Sequence, residues 1–312
     1  VIIEKVVKNQ ICKLNSFFNG LLKKLKVEKE QLLVCCEETG IYKTPLQRVC
    51  VEMGLALWIE LALKIKRASS SIRGKSDKQD ALRIADYSCR YSDKRILYKA
   101  PSKANKTLLT LVNARESILS QITRFKQQLN ESRQFDPEKY TVLKYCFQGS
   151  LNALKKQLIQ VEKRIDEVVK SCEETYKNMQ LLQSIPGIGR QTALQFIVYT
   201  RNFTLFESAK HLACYAGVAP FANESGIIIK KAKVSNFANK KLKKVLHMAA
   251  MASIKARGEL KDYYIRKVAE GKNKMLVLNN LRNKLIDRMF AVVKRKSGYI
   301  LFNLEKSGCI LT

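Results

Sequence analysis

Leu151, Leu154, Leu158, Val161, Ile165 and Val168 step along the chain by 3, 4, 3, 4 and 3 residues. A strand alternates every second residue, so only an α-helix gathers this set into one stripe. The stripe has the spacing of a coiled-coil seam. Upstream, Leu108, Leu111, Ile118, Ile122, Phe125 and Leu129 keep the same register, with Arg115 interrupting it. The stretch ESRQFDPEKY between them carries turn residues. Residues 101–180 are therefore expected to form an antiparallel coiled-coil arm. A two-helix arm of this length cannot bury both its faces alone, which offers a surface for self-association. Two ordinary bundle helices satisfy the same periodicity.

The first hundred residues follow another rule, alternating strand and helix signals. VIIEKVV is strand-like, SFFNGLLKKLK has helical spacing, and QLLVCCEE is a short buried strand. TPLQRVCVEMG is a helix with Pro45 near its first turn, and LALWIELALKI is an apolar run that suits strand or helix. Such alternation predicts an α/β domain over residues 1–100 with at least part of its sheet parallel. Sheets of this kind hold ligands at the carboxyl ends of their strands. Glu37 and Glu38, in CCEETGIY, lie at such an end. Residues 181–312 read as a mainly α domain that opens with LLQSIPGIGRQTALQFI. There Pro186, Gly187 and Gly189 make a tight turn, and the next helix starts near Arg190. This helix-hairpin-helix pattern presents backbone N–H groups to a phosphate oxygen, although any corner between helices uses such glycines.

Charge narrows the partner. The 312 residues include 58 Lys and Arg against 27 Asp and Glu, a formal net charge of +31. That excess points to a polyanion, with nucleic acid ahead of an anionic membrane surface. No apolar run approaches the roughly 18 residues of a spanning helix, and the bases are spread along the chain. The nine cysteines form no Cys-x-x-Cys pair, and only two histidines are present to join them in a zinc site. They read as reduced, mostly buried thiols of a cytoplasmic protein. VIIEKVVKNQ lacks the pattern of a secretory leader.

Two groups of residues carry candidate chemistry. In RGKSDKQDALRIADY, Asp77 and Asp80 stand three apart at the start of a helical pattern, on one face. Capping accounts for them as it does for many first-turn acids, with Ser76 or Asp77 as the cap. Together with Glu37 they also make a set of three carboxylates, whose mutual repulsion calls for a cation. Mg2+ suits oxygen ligands that face phosphate. Arg73 and Lys75 precede these acids and are candidate nucleic-acid contacts. The second group is Glu224, Ser225 and Gly226, followed by Lys230, Lys231 and Lys233. A serine beside a glycine is ordinarily a turn former. The functional alternative is a nucleophile toward phosphate, with the lysines stabilising developing charge.

Five stretches in order, CCEETGIY, RGKSDKQDALRIADY, SIPGIGRQTA, FESAKHLACYAGVAPFANESG and GKNKMLVLNNLRNKLIDRMF, resemble the transposases of the bacterial insertion-sequence family IS110. The resemblance covers essentially the whole chain. It implies an N-terminal RuvC-like domain of RNase H-like fold with an Asp-Glu-Asp-Asp site for Mg2+. A coiled-coil arm and a C-terminal domain with a catalytic serine would follow. It makes Glu37 the second acid, Asp77 and Asp80 the third and fourth, and Ser225 the nucleophile. The first acid of the family belongs to a strand expected before Val1, and Glu4 is the only acid ahead of Glu28. The chain also has Ala238 where relatives favour glycine and Lys243, a candidate phosphate contact, where they favour arginine.

The resemblance further implies a nucleoid-associated DNA recombinase acting as a dimer or tetramer, guided to element ends and target by a structured RNA. Two alternatives stand beside it. One is a remnant that binds nucleic acid without cutting; the other is a junction nuclease that uses the acids and water, with Ser225 idle.

Overall fold

A computed structural model describes residues 3–68, 76–225, 228–234 and 238–300. The chain divides into two compact units, Val1–Ala100 and Pro101–Thr312. Among the described residues no helix is long and apolar enough to cross a membrane.

The first unit is built on two parallel strands, β1 (Leu33–Glu37) and β2 (Ala56–Glu60), paired so that Leu33 faces Ala56 and Glu37 faces Glu60. Parallel neighbours need a crossover. Here it is α2 (Thr44–Met53), which starts with proline in its first turn and stops at Gly54, left-handed at φ 71°. Before the sheet comes α1 (Ile11–Leu25), and after it α3 (Ala62–Ala68) and α4 (Asp77–Arg90). Alternation along the strands sends successive side chains to opposite faces. Val34, Cys36, Leu57 and Ile59 pack with Phe18, Val49 and Cys50 from α1 and α2. Leu33, Cys35 and Trp58 pack with Ile65, Ile84, Tyr87 and Tyr91 from α3 and α4.

The α/β class and the parallel pairing match the sequence expectation. Of the segment VIIEKVV, expected to be a strand, the described residues 3–7 have no regular structure, and Val6 is 97% exposed. A lone segment has no ladder to satisfy its backbone groups, so β-propensity alone does not make it a strand. The ambiguous run LALWIELALKI is both elements, a strand to Glu60 and a helix from Ala62. The described sheet has two strands, with Leu97 adding a single antiparallel bridge to Trp58.

In the second unit, α5 (Lys103–Phe135) and α6 (Pro137–Lys170) form an antiparallel hairpin. The turn is Asp136, whose carboxylate accepts the Lys139 amide at 3.0 Å, with Pro137 opening the second helix. The predicted stripes face inward, and Phe125 stacks on Phe147. Arg115, the interruption, reaches across to Glu162 at 2.8 Å.

The root of the hairpin shares its core with α7 (Glu173–Gln183), α8 (Arg190–Thr200), α9 (Ala209–Tyr215), α10 (Lys240–Lys255), α11 (Glu259–Ala269) and α12 (Lys274–Arg295). The centre is α8. Its sequence is apolar on every side, and Ala193, Leu194, Phe196 and Ile197 are fully enclosed. Two strands, β3 (Pro220–Ser225) and β4 (Ile228–Val234), form an antiparallel hairpin between α9 and α10. Sequence periodicity had given this unit as mainly α, without these strands.

Arg282 is buried on α12, and one of its terminal nitrogens lies 2.6 Å from His247 Nδ1 on α10. Burial, aided by the Arg282 charge, holds the His247 imidazole below its ordinary pKa. The neutral ring is therefore favoured on folding. Its contribution is present above the unfolded value near 6.5 and is lost as pH falls below it. Lowering pH from about 7 to about 5 is expected to cost the wild type more stability in urea unfolding than His247→Asn, whose side-chain oxygen accepts the same bond without titrating.

The turn between α7 and α8 yields a second expectation. A Cβ on Gly187 would lie 2.7 Å from Ser253 Cβ and 2.8 Å from the Ala249 carbonyl, at φ +92°, whereas one on Gly189 meets nothing within 4 Å. Gly187→Ala should lower the unfolding free energy by about 2 kcal/mol or more. Gly189→Ala should stay within about 0.5 kcal/mol.

Candidate functional site

Register and capping place the acids of the first unit. Glu37 and Glu60 end adjacent parallel strands in direct register, so both belong to the face that α3 and α4 cover. Asp77, Asp80, Ile84 and Tyr87 follow helical spacing along α4, and Tyr91, its C-cap, continues the series. The aspartates thus continue the stripe whose later residues pack on that sheet face. Ser76 is the N-cap, its hydroxyl accepting the Gln79 amide at 3.3 Å. Capping is therefore done by the serine, and neither aspartate is needed for it.

The partners of these acids differ. Glu38 is locked into the turn, bound by the Lys43 ammonium and accepting the Gly40 amide at 3.3 Å. Asp80 pairs with Arg83 at 2.8 Å. Glu37, half-buried, and Asp77, exposed, have no hydrogen-bond or ion-pair partner among the described residues. Among those residues no three His, Cys, Asp or Glu side chains come close enough to share a metal ion. The donor set, three carboxylates, suits a hard cation such as Mg2+. The fold brings the three acids to one sheet face and one helix stripe without closing them on a common point.

Glu60 escaped the sequence reading. Only 7% exposed, it takes the Tyr87 hydroxyl at 3.3 Å, the Lys64 ammonium at 3.1 Å and the Leu61 amide at 2.9 Å. Burial and the Glu60 carboxylate push the Tyr87 phenol above its ordinary pKa, so it remains a donor. The signal was an acid closing an apolar run, the pattern that had drawn attention to Glu37. Nearby, burial pushes the Cys35 and Cys36 thiols up to about 11 and Cys50 to about 12. They stay protonated at neutral pH and are not nucleophiles.

In the second unit, Ser225 is the last residue of β3, opposite Ile228. Gly226 lies outside the described residues, as do Arg73 and Lys75. Lys230, Lys231 and Lys233 are on β4. Bonds hold the chain before β3 and at the start of α10. Asn279 and Asn283 each donate to the Val218 carbonyl, at 2.8 and 2.9 Å. On the other side the Asn239 amide donates to the Tyr215 carbonyl at 2.8 Å, while its side chain caps α10. Lys243, half-buried, is one turn before His247.

The Pro-Gly turn splits in two. Gly187 faces inward against α10, so its small size serves packing. Gly189 is exposed at the N-terminus of α8, which has no side-chain cap. Arg190 is paired with Asp166 at 2.6 Å.

With acids at the carboxyl end of a parallel sheet and a basic helical unit carrying a serine hairpin, the chain has the parts of a DNA-processing protein. The family models that match this chain are those of transposases. Residues 3–132 match the transposase family with an IS110-type DEDD domain, and residues 179–265 match the transposase IS116/IS110/IS902 family. Both matches are to IS110-type transposase models, one to the first part of the chain and one to the last third. It is 29% identical to the pilin gene-inverting protein of Moraxella lacunata over 267 residues, which is 84% of this chain and 80% of that one. It is 31% identical to the insertion element IS110 uncharacterized 43.6 kDa protein of Streptomyces coelicolor over 151 residues, 48% of this chain and 36% of that protein. The transposase for insertion sequence element IS1111A of Coxiella burnetii is 23% identical over 248 residues, 72% and 68% of the two chains.

Tyr87→Phe removes one donor from the buried Glu60 carboxylate. It is expected to lower stability by about 1–2 kcal/mol in urea unfolding; an unchanged midpoint would show that this bond contributes nothing.

Proposed function

We propose that this chain is a DNA recombinase that moves an insertion sequence, cutting and rejoining DNA through a serine-linked intermediate. The observation that carries the reading is the pair of unpartnered carboxylates, Glu37 ending β1 and Asp77 opening α4. In a chain so rich in bases, acids that serve neither a cap nor an ion pair are available for a cation. Glu37, Asp77 and Asp80 would hold Mg2+, which when bound neutralises the carboxylates and polarises a scissile phosphodiester. The fold as RuvC-like and RNase H-like is part of the same reading, supported by the DEDD family match.

The Ser225 hydroxyl attacks phosphorus and forms the Ser–O–P bond as the DNA P–O bond breaks, and the departing DNA oxygen takes up the proton that the serine loses, leaving a phosphoserine link. Attack by the hydroxyl of the exchanging strand reverses the step and frees the serine. Lys230, Lys231, Lys233 and Lys243 stabilise charge on the phosphate oxygens. Gly189 and Arg190, at the open N-terminus of α8, contact backbone phosphate, and Arg73 and Lys75 extend that surface. Pro186 and Gly187 shape the turn. An element-encoded structured RNA selects the DNA by base pairing, which leaves the protein with backbone contacts, as its broad positive charge suits. The carboxylates and the serine act from different protomers of a dimer or tetramer whose helical hairpins assemble as coiled coils.

A second reading is favoured by one observation: the three acids do not converge in the described residues. On that reading the chain binds nucleic acid without cutting it.

Trapping decides. A denaturing gel should show a covalent protein–DNA adduct that is lost in Ser225→Ala and on chelation of divalent metal. Asp77→Asn and Asp80→Asn should abolish cleavage while retaining DNA and RNA binding. Binding without any adduct would establish the non-cutting reading, and metal-dependent cutting that survives Ser225→Ala would mean a nuclease.

A further inference from the structure

The root of the helical hairpin carries a groove that the reading above leaves unused. Walls from α5, α8 and α10 enclose about 630 Å3, within the roughly 300–1,000 Å3 typical of small-molecule clefts. Arg115 and Arg124 line it from α5, Lys241 and Lys244 from α10, and Glu116 is its one lining acid.

Two of these bases are committed within the protein. Arg115 is held by Glu162, and Lys241 by Glu116 at 2.5 Å and by the Asn113 side chain at 2.7 Å. Burial alone would lower the Lys241 ammonium, but hydrogen bonds from it to Glu116 and Tyr199 raise it above its ordinary value, so it stays charged. Arg124 and Lys244 are exposed and have no partner among the described residues.

The floor differs in kind from the rim. Gln195, on α8, is 8% exposed and lines the groove. Its amide nitrogen donates to Glu116 at 3.3 Å, while its carbonyl oxygen has no donor. A buried acceptor left unpaired is destabilising unless something supplies an N–H. The groove therefore offers free cations at its edge and one neutral acceptor below, beside the apolar side chains of Leu119 and Val245. A phosphate joined to a base with an exocyclic amine complements that set. In a duplex the amine is already paired, so the complement is an unpaired nucleotide.

We propose that this groove seats one nucleotide of a single-stranded segment, DNA or RNA, with its phosphate between Arg124 and Lys244 and its base amine on the Gln195 carbonyl. The proposal rests on the reading of the chain as a nucleic-acid recombinase and names a surface for the unpaired strand that strand exchange requires.

Fluorescence anisotropy on the full chain tests it, with labelled oligo-dC, oligo-dT, an RNA oligo-C and a duplex, over about 50 to 200 mM salt. The double variant Arg124→Gln/Lys244→Gln changes only exposed side chains. It should weaken oligo-dC about tenfold and reduce the log–log salt slope by roughly 0.7, the value for the one single-strand phosphate the two bases hold, while leaving duplex binding unchanged. The wild type should prefer oligo-dC to oligo-dT, which has no exocyclic amine, and Gln195→Met should erase that preference without altering the slope. The RNA and DNA arms identify which strand the groove holds more tightly. An unchanged slope in the double variant, or no preference for oligo-dC in the wild type, overturns the proposal. Failure of the wild type to bind any of these nucleic acids would instead remove the recombinase reading on which it stands.

Discussion

Parallel pairing of β1 with β2 is the constraint on which the first unit depends. Because the strands run the same way, their carboxyl ends meet at one edge, and the register puts Glu37 beside Glu60. An antiparallel pairing would have put one acid at each end of the sheet. The two strands also divide the hydrophobic material, sending Val34, Cys36, Leu57 and Ile59 to α1 and α2 and reserving the other face for α3 and α4. On that second face Trp58, Tyr87 and Tyr91 meet in sequence as tilted rings, with centroids 5.3 and 4.9 Å apart. The bond from Tyr87 to Glu60 then ties α4 to the end of β2, and with it the first turn that carries Asp77 and Asp80. Glu60 thus anchors the helix, and Glu37, its neighbour in register, is left without such a task.

Charge economy separates anchors from candidates. Bases outnumber acids 58 to 27, so an acid at the surface is surrounded by potential partners. Asp86 with Arg90, Asp166 with Arg190 and Glu162 with Arg115 show the usual outcome. The exposed pairs among them contribute only about 0–1 kcal/mol each, so they identify occupied acids more than they hold the fold together. Against that background an unpaired carboxylate at a strand end is informative. It also opposes the net charge where a polyanion would bind, an arrangement that a bound cation turns from repulsive to attractive.

Periodicity carried the parts of the structure that depend on local pattern. The seam from Leu151 to Val168 specified its helix, and the turn residues around Asp136 marked where the hairpin reverses. Patterns that need a distant partner were harder. VIIEKVV has strand composition, but nothing in those seven letters says whether a neighbour exists to pair with it. LALWIELALKI hid a boundary because its residues suit both elements, and Glu60 was lost with that boundary. The β3–β4 hairpin left a trace in ESGIIIKK, where a glycine stands between two strand-like runs. Gly187 shows the limit most plainly: a turn signal predicts a turn, not which side of it will press on α10.

One helix links the features of the second unit. At 3.6 residues per turn, the first turns of α10 address several neighbours. Asn239 binds the Tyr215 carbonyl at the end of α9, Leu242 and Leu246 enter the core, and His247 meets Arg282 on α12. Lys241 and Lys244 face the groove against α5. The end of α9 and the groove that would seat an unpaired nucleotide are therefore referenced to a single rigid element. Core side chains lock the rotation of α10 about its axis, because turning it would expose Leu242 and Leu246 together. Any nucleic acid held by Lys244 thus occupies a defined position relative to Asn239, which caps the same helix and donates its amide to the Tyr215 carbonyl.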